Sequence, residues 1–145
     1  MSVSARPASD GELAAVYDLR YRVFCLEQGV PEDLERDEQD DGALHLVAVD
    51  GGAVIGTCRL VRGEESWCLG RMAVVEGRRG DGVGRRLLDV AHTEARRAGA
   101  RRMVLASQVP ARGFYERRGY IAEGGEFMDA GIPHVLMTLE LSRED

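Results

Sequence analysis

The stretch Arg79-Gly80-Asp81-Gly82-Val83-Gly84 constrains this chain more than any other. It sits between an apolar, strand-like run, Met72-Ala73-Val74-Val75, and a strongly helical segment. A strand that turns through glycines into a helix leaves backbone N–H groups free at the helix start. Those groups and the positive end of the helix dipole form an anion site, which glycines let a phosphate approach closely. Arg79 adds a fixed cation just before the turn. The unit predicts a bound phosphorylated ligand. The competing reading is a glycine-rich helix entry with no ligand, since short glycine motifs recur by chance.

Two familiar phosphate loops are excluded by spacing. A P-loop needs Gly-Lys-Ser/Thr after its spaced glycines. Gly77 and Gly82 have that separation, but Val83-Gly84 follows. A dinucleotide fingerprint needs a third glycine three residues after Gly82, where Arg85 stands.

The remaining chain reads as mixed α/β, with neither repeat nor linker. A short strand is predicted near Val3–Arg6. A helix capped by Ser9 or Asp10 follows to about Phe24, burying Leu13, Val16, Tyr17 and Val23 or Phe24. Gly29-Val30-Pro31 breaks it. Ala43–Asp50, Ala53–Val61 and Trp67–Val75 read as an antiparallel meander, its first turn made by Asp50-Gly51-Gly52. After the glycine loop, Gly84, Leu87, Leu88, Ala91, Ala95 and Ala98 recur at three and four, and Gly99 stops that helix. A strand at Met103–Ser107, a short helix at Ala111–Arg118 and strands at Tyr120–Glu126 and His134–Leu141 complete the order.

Composition enters as a bound. The chain has 145 residues, 44% hydrophobic and 30% charged, which predicts one soluble domain spanning 1–145. No apolar run approaches the about 20 residues that span a bilayer, and the opening residues do not read as a signal peptide. Cys25, Cys58 and Cys68 are odd in number and unpaired in spacing, so a reduced, cytoplasmic protein is expected. All 19 basic residues are arginine, and the net charge is −6. Residues 78–118 carry eleven arginines against four acids, a local +7, while residues 1–50 carry twelve acids against four arginines, a local −8. The basic half suits a polyanion and the acidic half a cationic amine. A pI near 5.1 without an aromatic-basic stripe argues against nucleic acid.

Arg79 to Gly84 matches the Arg/Gln-x-x-Gly-x-Gly/Ala signature of the GNAT acyltransferases, and the chain resembles that family over nearly its whole length. The resemblance implies an α/β mixed (α+β) sheet, mostly antiparallel, with splayed strands four and five flanked by helices. It implies acetyl-CoA as co-substrate, its pyrophosphate held by Arg79, Gly80, Asp81, Gly82, Val83, Gly84 and Arg85. Met72, Ala73 and Val74 match the fourth strand, with N–H groups near Val74 assigned to the thioester carbonyl. Val104–Gln108 and Phe114-Tyr115-Glu116-Arg117-Arg118-Gly119-Tyr120 carry a second family signature. It places Gln108, Phe114, Tyr115 and Arg117 beside the pantetheine arm, with Tyr115 as general acid for the departing thiolate. A free tyrosine has a pKa near 10 and a thiol a somewhat lower one.

Arg20-Tyr21-Arg22-Val23-Phe24-Cys25-Leu26-Glu27-Gln28, then Asp37, Asp40 and His45, resemble a bacterial GNAT subgroup related to the ElaA and YjcF proteins. Glu126, Gly131-Ile132-Pro133-His134 and Met137 match the same subgroup. The implied acceptor site comprises Phe24, Glu27, Asp37, Asp40 and His134, with Asp37, Asp40, His45 or His134 taking the amine proton. Asp40 and His45 are named as catalytic. The implied reaction is direct acetyl transfer to a small-molecule or peptide amine in a ternary complex, with a homodimer expected and neither membrane nor nucleic acid involved. No metal is expected. Gln39 and Ala48 spoil a calcium loop after Asp37, and the histidines and cysteines lack zinc spacing. His92, on an arginine-rich helix, is expected to be exposed. Two alternatives stand: an acyl-homoserine-lactone-synthase-like acyltransferase, which the Arg22-Val23-Phe24 block also resembles, and a non-catalytic CoA-binding regulatory module.

Overall fold

The Asp50–Ala53 turn forms as its residue types demand. A two-residue hairpin loop of type I′ needs positive φ at both central positions to match the twist of its strands, and Gly51 and Gly52 adopt φ of 59° and 83°. This hairpin joins β2 (Leu44–Asp50) to β3 (Ala53–Val61). A computed structural model describes residues 2–141 of the chain. Five further strands flank the hairpin: β1 (Val3–Pro7), β4 (Ser66–Val74), β5 (Arg102–Gln108), β6 (Ile121–Asp129) and β7 (Ile132–Glu140). They form one seven-stranded sheet in the order β1-β2-β3-β4-β5-β7-β6. Every neighbouring pair is antiparallel except β4 and β5.

That parallel pair is short and decides where the site lies. Ser66–Leu69 pairs with Arg102–Leu105, and no pairing follows. Beyond it β4 pairs only with β3, and β5 only with β7. The two strands separate where a bulge interrupts the β3–β4 register between Thr57 and Arg59. Arg71, inside the bulge, has φ of 53°, a left-handed conformation costing a non-glycine residue about 1–3 kcal/mol.

Helices cover both faces of the sheet. α3 (Val83–Arg97) buries Val83, Leu87, Leu88, Ala91, His92 and Ala95, the stripe its period predicts. These residues join Leu46, Ile55, Leu60, Trp67, Met103 and Leu105 in the main core. α1 (Leu13–Arg20) packs on the other face, where Leu19 and Val23 meet Ala73. The short helices α2 (Glu32–Glu35) and α4 (Arg112–Glu116) sit in the connections.

Three expectations are corrected. The first helix does not end at Phe24; it widens into a π-helical segment, Tyr21–Glu27, before Gln28. Ala98 is exposed, because α3 ends at Arg97 and the chain turns away. His92 is buried rather than exposed. Its Nε2 lies 2.7 Å from the Tyr120 hydroxyl, and burial pulls its pKa down to about 4. A neutral ring with its Nε2 lone pair accepting from Tyr120 satisfies both groups.

Candidate active site

The glycine loop leaves its donors unused. Gly80 and Gly82 sit at φ of 89° and 81°, where a side chain would strain the backbone. Gly82 caps α3, and the first helical bond in that turn runs from the Arg86 N–H to the Gly82 carbonyl. The N–H groups of Val83, Gly84 and Arg85 have no hydrogen-bond partner among the described residues. Three convergent N–H groups at the start of a 15-residue helix are what an anionic pyrophosphate requires. Gly84 has a second duty. A Cβ there would lie 3.3 Å from the Phe114 ring, so glycine lets the loop and α4 approach each other.

Arg79 is engaged elsewhere. Its Nη1 and Nη2 donate to the Glu27 carboxylate at 3.0 and 2.8 Å, and its Nε donates to the Val74 carbonyl. Glu27 therefore holds the cation of the loop and is not among the residues lining the cavity described next. One residue further along, Gln28 accepts from the Gln108 amide at 2.7 Å. The end of the π-helical segment thus touches the loop and β5 through consecutive side chains.

The split between β4 and β5 opens a cavity of about 510 Å³. Six of the residues singled out in the sequence line it: Phe24, Met72, Gln108, Phe114, Tyr115 and His134. Tyr115 is buried, edge-on to both Phe114 and Tyr120, and its hydroxyl has no hydrogen-bond partner among the described residues. Burial raises its pKa, so it is protonated at neutral pH and available as a donor. His134 is fixed in one tautomer. Its Nδ1 lies 2.7 Å from the Ile132 carbonyl, which can only accept, so Nδ1 carries the hydrogen. In the neutral ring Nε2 keeps its lone pair. Phe127 stacks against the ring.

The acidic cluster is a different object from the open carboxylate patch its sequence suggests. Arg20, wholly buried, donates from Nε to Glu35 at 2.8 Å and from Nη1 to Asp40 at 2.7 Å. Arg59 donates from Nη1 to both Asp37 and Asp40. Arg71 reaches the Glu35 carbonyl, the Leu34 carbonyl and Asp37. Asp40 accepts from Arg20, Arg59 and the Asp37 N–H and lies outside the cavity lining. Burial opposes its ionisation, but the arginines prevail and hold it well below the ordinary carboxylate range. Asp40 is thus too weak a base, and too enclosed, to take an amine proton. His45 is buried beneath it, Nε2 at 2.9 Å from the Asp40 carbonyl and the ring edge-on to Tyr17. Asp37 likewise joins the network and not the cavity wall.

Sequence reasoning missed the arginines that define this region. Arg20 lies four residues after buried Val16 and three before buried Val23, so the helical spacing alone placed it inside. Arg59 is a charged member of the buried run Ile55–Leu60 in β3. Nothing local marked Arg71, whose position depends on the bulge.

A strand, a glycine turn and a helix thus form an anion cradle next to a split parallel pair, and the sequence comparison gives the class. The chain belongs to the GNAT family: the family model for an acetyltransferase (GNAT) domain matches residues 7–141. The uncharacterized N-acetyltransferase YjcF of Bacillus subtilis is 33% identical over 130 residues, covering 89% of this chain and 93% of YjcF. ElaA of Escherichia coli shares the fold with a TM-score of 0.82 at 22% identity, covering 99% of this chain and 100% of ElaA. The yncA protein of Salmonella typhimurium, solved with its cofactor acetyl-CoA, shares it with a TM-score of 0.77 at 20% identity, covering 99% and 96%. The chain is thus an acyltransferase with YjcF among its relatives and the fold of ElaA.

Proposed function

We propose that this chain transfers an acetyl group from acetyl-CoA directly to a primary amine within a ternary complex. One observation carries the reading. Tyr115 and His134 line one cavity between the split strands, and Phe114 of the same wall packs against Gly84, beside the N–H groups of the glycine loop that have no partner among the described residues. The loop N–H groups of Val83, Gly84 and Arg85 suit the pyrophosphate, with Arg79 joining once released from Glu27. The pantetheine arm then fits beside Gln108 and Phe114.

The chemistry needs two proton movements. His134 Nε2 accepts the amine proton as the amine nitrogen bonds to the thioester carbon. The carbon–sulfur bond breaks, and the Tyr115 hydroxyl gives its proton to the leaving sulfur. Burial makes Tyr115 a weaker acid, so its hydroxyl keeps its proton until the negative sulfur develops beside it. Asp40 acts one layer back, by holding Arg59 of the cavity wall, and His45 supports Asp40 through its backbone carbonyl.

Thiol release from acetyl-CoA across a panel of primary amines tests the reading. Amine-dependent release with an N-acetylated product is expected. Tight CoA binding without release on any amine would instead support a binding module.

A further inference from the structure

The cavity wall carries more positive charge donors than its fold uses. Arg59 spends only Nη1, on Asp37 and Asp40. Its Nε is buried without a partner, and its Nη2 makes no hydrogen bond among the described residues, although the side chain is only 7% exposed. Arg71 spends Nε and Nη2, while Nη1 is unused. Both side chains line the cavity. A planar guanidinium with free N–H groups is built to take a carboxylate.

The balance of charge points the same way. Arg20, Arg59 and Arg71 neutralise Glu35, Asp37 and Asp40 one for one. The cluster consequently offers no surplus negative charge to a simple polycation, and Glu35, which reaches the cavity, is held by Arg20 and Arg71. Arg71 sits below the ordinary guanidinium pKa, first through burial and then through repulsion by Arg59; the attraction of a bound anion offsets that repulsion. On the β6–β7 hairpin, Asp129 also lines the cavity, is exposed, and makes no ion pair among the described residues. His134 lies on the same hairpin.

We propose that the acceptor is a small amino carboxylate, its carboxylate held by Arg59 and Arg71 on the β3–β4 wall and its amine met by Asp129 and His134 from the β6–β7 hairpin. This assignment rests on the acetyltransferase reading and narrows its substrate to one class. A zwitterion fits both walls, whereas an alkylamine or a polyamine leaves the arginine donors unmatched. Each unmatched, desolvated donor costs binding, because it has given up water without a partner.

The test is thiol release from acetyl-CoA with amino acids of increasing chain length, each paired with its carboxamide. The free acid is expected to exceed its amide in kcat/KM by at least about tenfold, the ratio set by one hydrogen bond between charged groups. Arg71→Gln is expected to shrink that ratio toward one, chiefly by raising KM for the acid. Calorimetric titration with CoA checks that the variant remains folded. Amides or alkylamines used as well as the acids would overturn the assignment while leaving acetyl transfer intact, as would an acid preference unchanged in Arg71→Gln. CoA binding without release on any acceptor would overturn the transfer reading and this assignment with it. The acid–amide comparison on the unaltered protein stands even if Arg71→Gln fails to fold.

Discussion

Single residues carry separable duties here, and each separates under substitution. Tyr115→Phe keeps the ring that packs on Phe114 and Tyr120 but removes the proton. Its kcat is expected to fall about 10²–10⁴-fold, the usual worth of a positioned acid, with KM for acetyl-CoA little changed; steady-state kinetics checks this. Arg20 shows the opposite kind of residue, structural and wholly buried. Arg20→Met leaves the Glu35 and Asp40 carboxylates enclosed and short of a partner. Removing one member of such a group costs about 3–5 kcal/mol, so chemical denaturation should show a loss of that order. Tyr115 was legible from its aromatic block, whereas the partnership of Arg20 with residues 15 and 20 positions away was not. Ion pairs of that sequence separation leave no local pattern.

Among the elements, the π-helical end of the first helix is the piece that touches both the anion loop and β5. Glu27 competes with any anionic ligand for Arg79. Glu27→Gln removes the charge but keeps the shape, and it is expected to tighten CoA binding several-fold. Arg79→Ala is expected to weaken it about tenfold or more, since a charge-assisted bond is worth about 1.5–3 kcal/mol. Isothermal titration of both variants settles the pair; equal affinities in the two would dismiss the competition. The glycine loop was readable because its chemistry is local: positive φ, free N–H groups and a helix start lie within six residues. The π-helical widening was not, because α- and π-helical turns accept the same residues and tertiary contacts choose between them. Glu27 was accordingly expected at the acceptor and is found on the loop.

For the molecule as a whole, buried titratable groups set the response to pH. An unfolded chain protonates His92 near pH 6.5, while the folded chain resists until about 4. The unfolded state binds more protons across that window, so stability is full above about pH 6.5, falls as pH drops toward 4, and levels below. The loss from this group is of order 3 kcal/mol. Asp40 adds to it at lower pH, since its depressed pKa gives stability that is present above about pH 4 and lost on further acidification. Urea melts of the unaltered chain and His92→Gln across pH 4–7 check this; the variant should lose most of the slope. What the sequence by itself determined was everything written in short-range patterns. Those are the order of strands and helices, the two-glycine hairpin, the amphipathic stripe of α3 and the anion loop with its aromatic companion block. Only the tertiary structure decided where β4 parts from β5, which acids are neutralised, and that Arg59 and Arg71 face the cavity while Asp40 and His45 do not. Strand separation depends on a bulge in one pair and the end of register in the next. The protonation and reach of each charged group depend on neighbours brought from distant parts of the chain, and no window of sequence contains them.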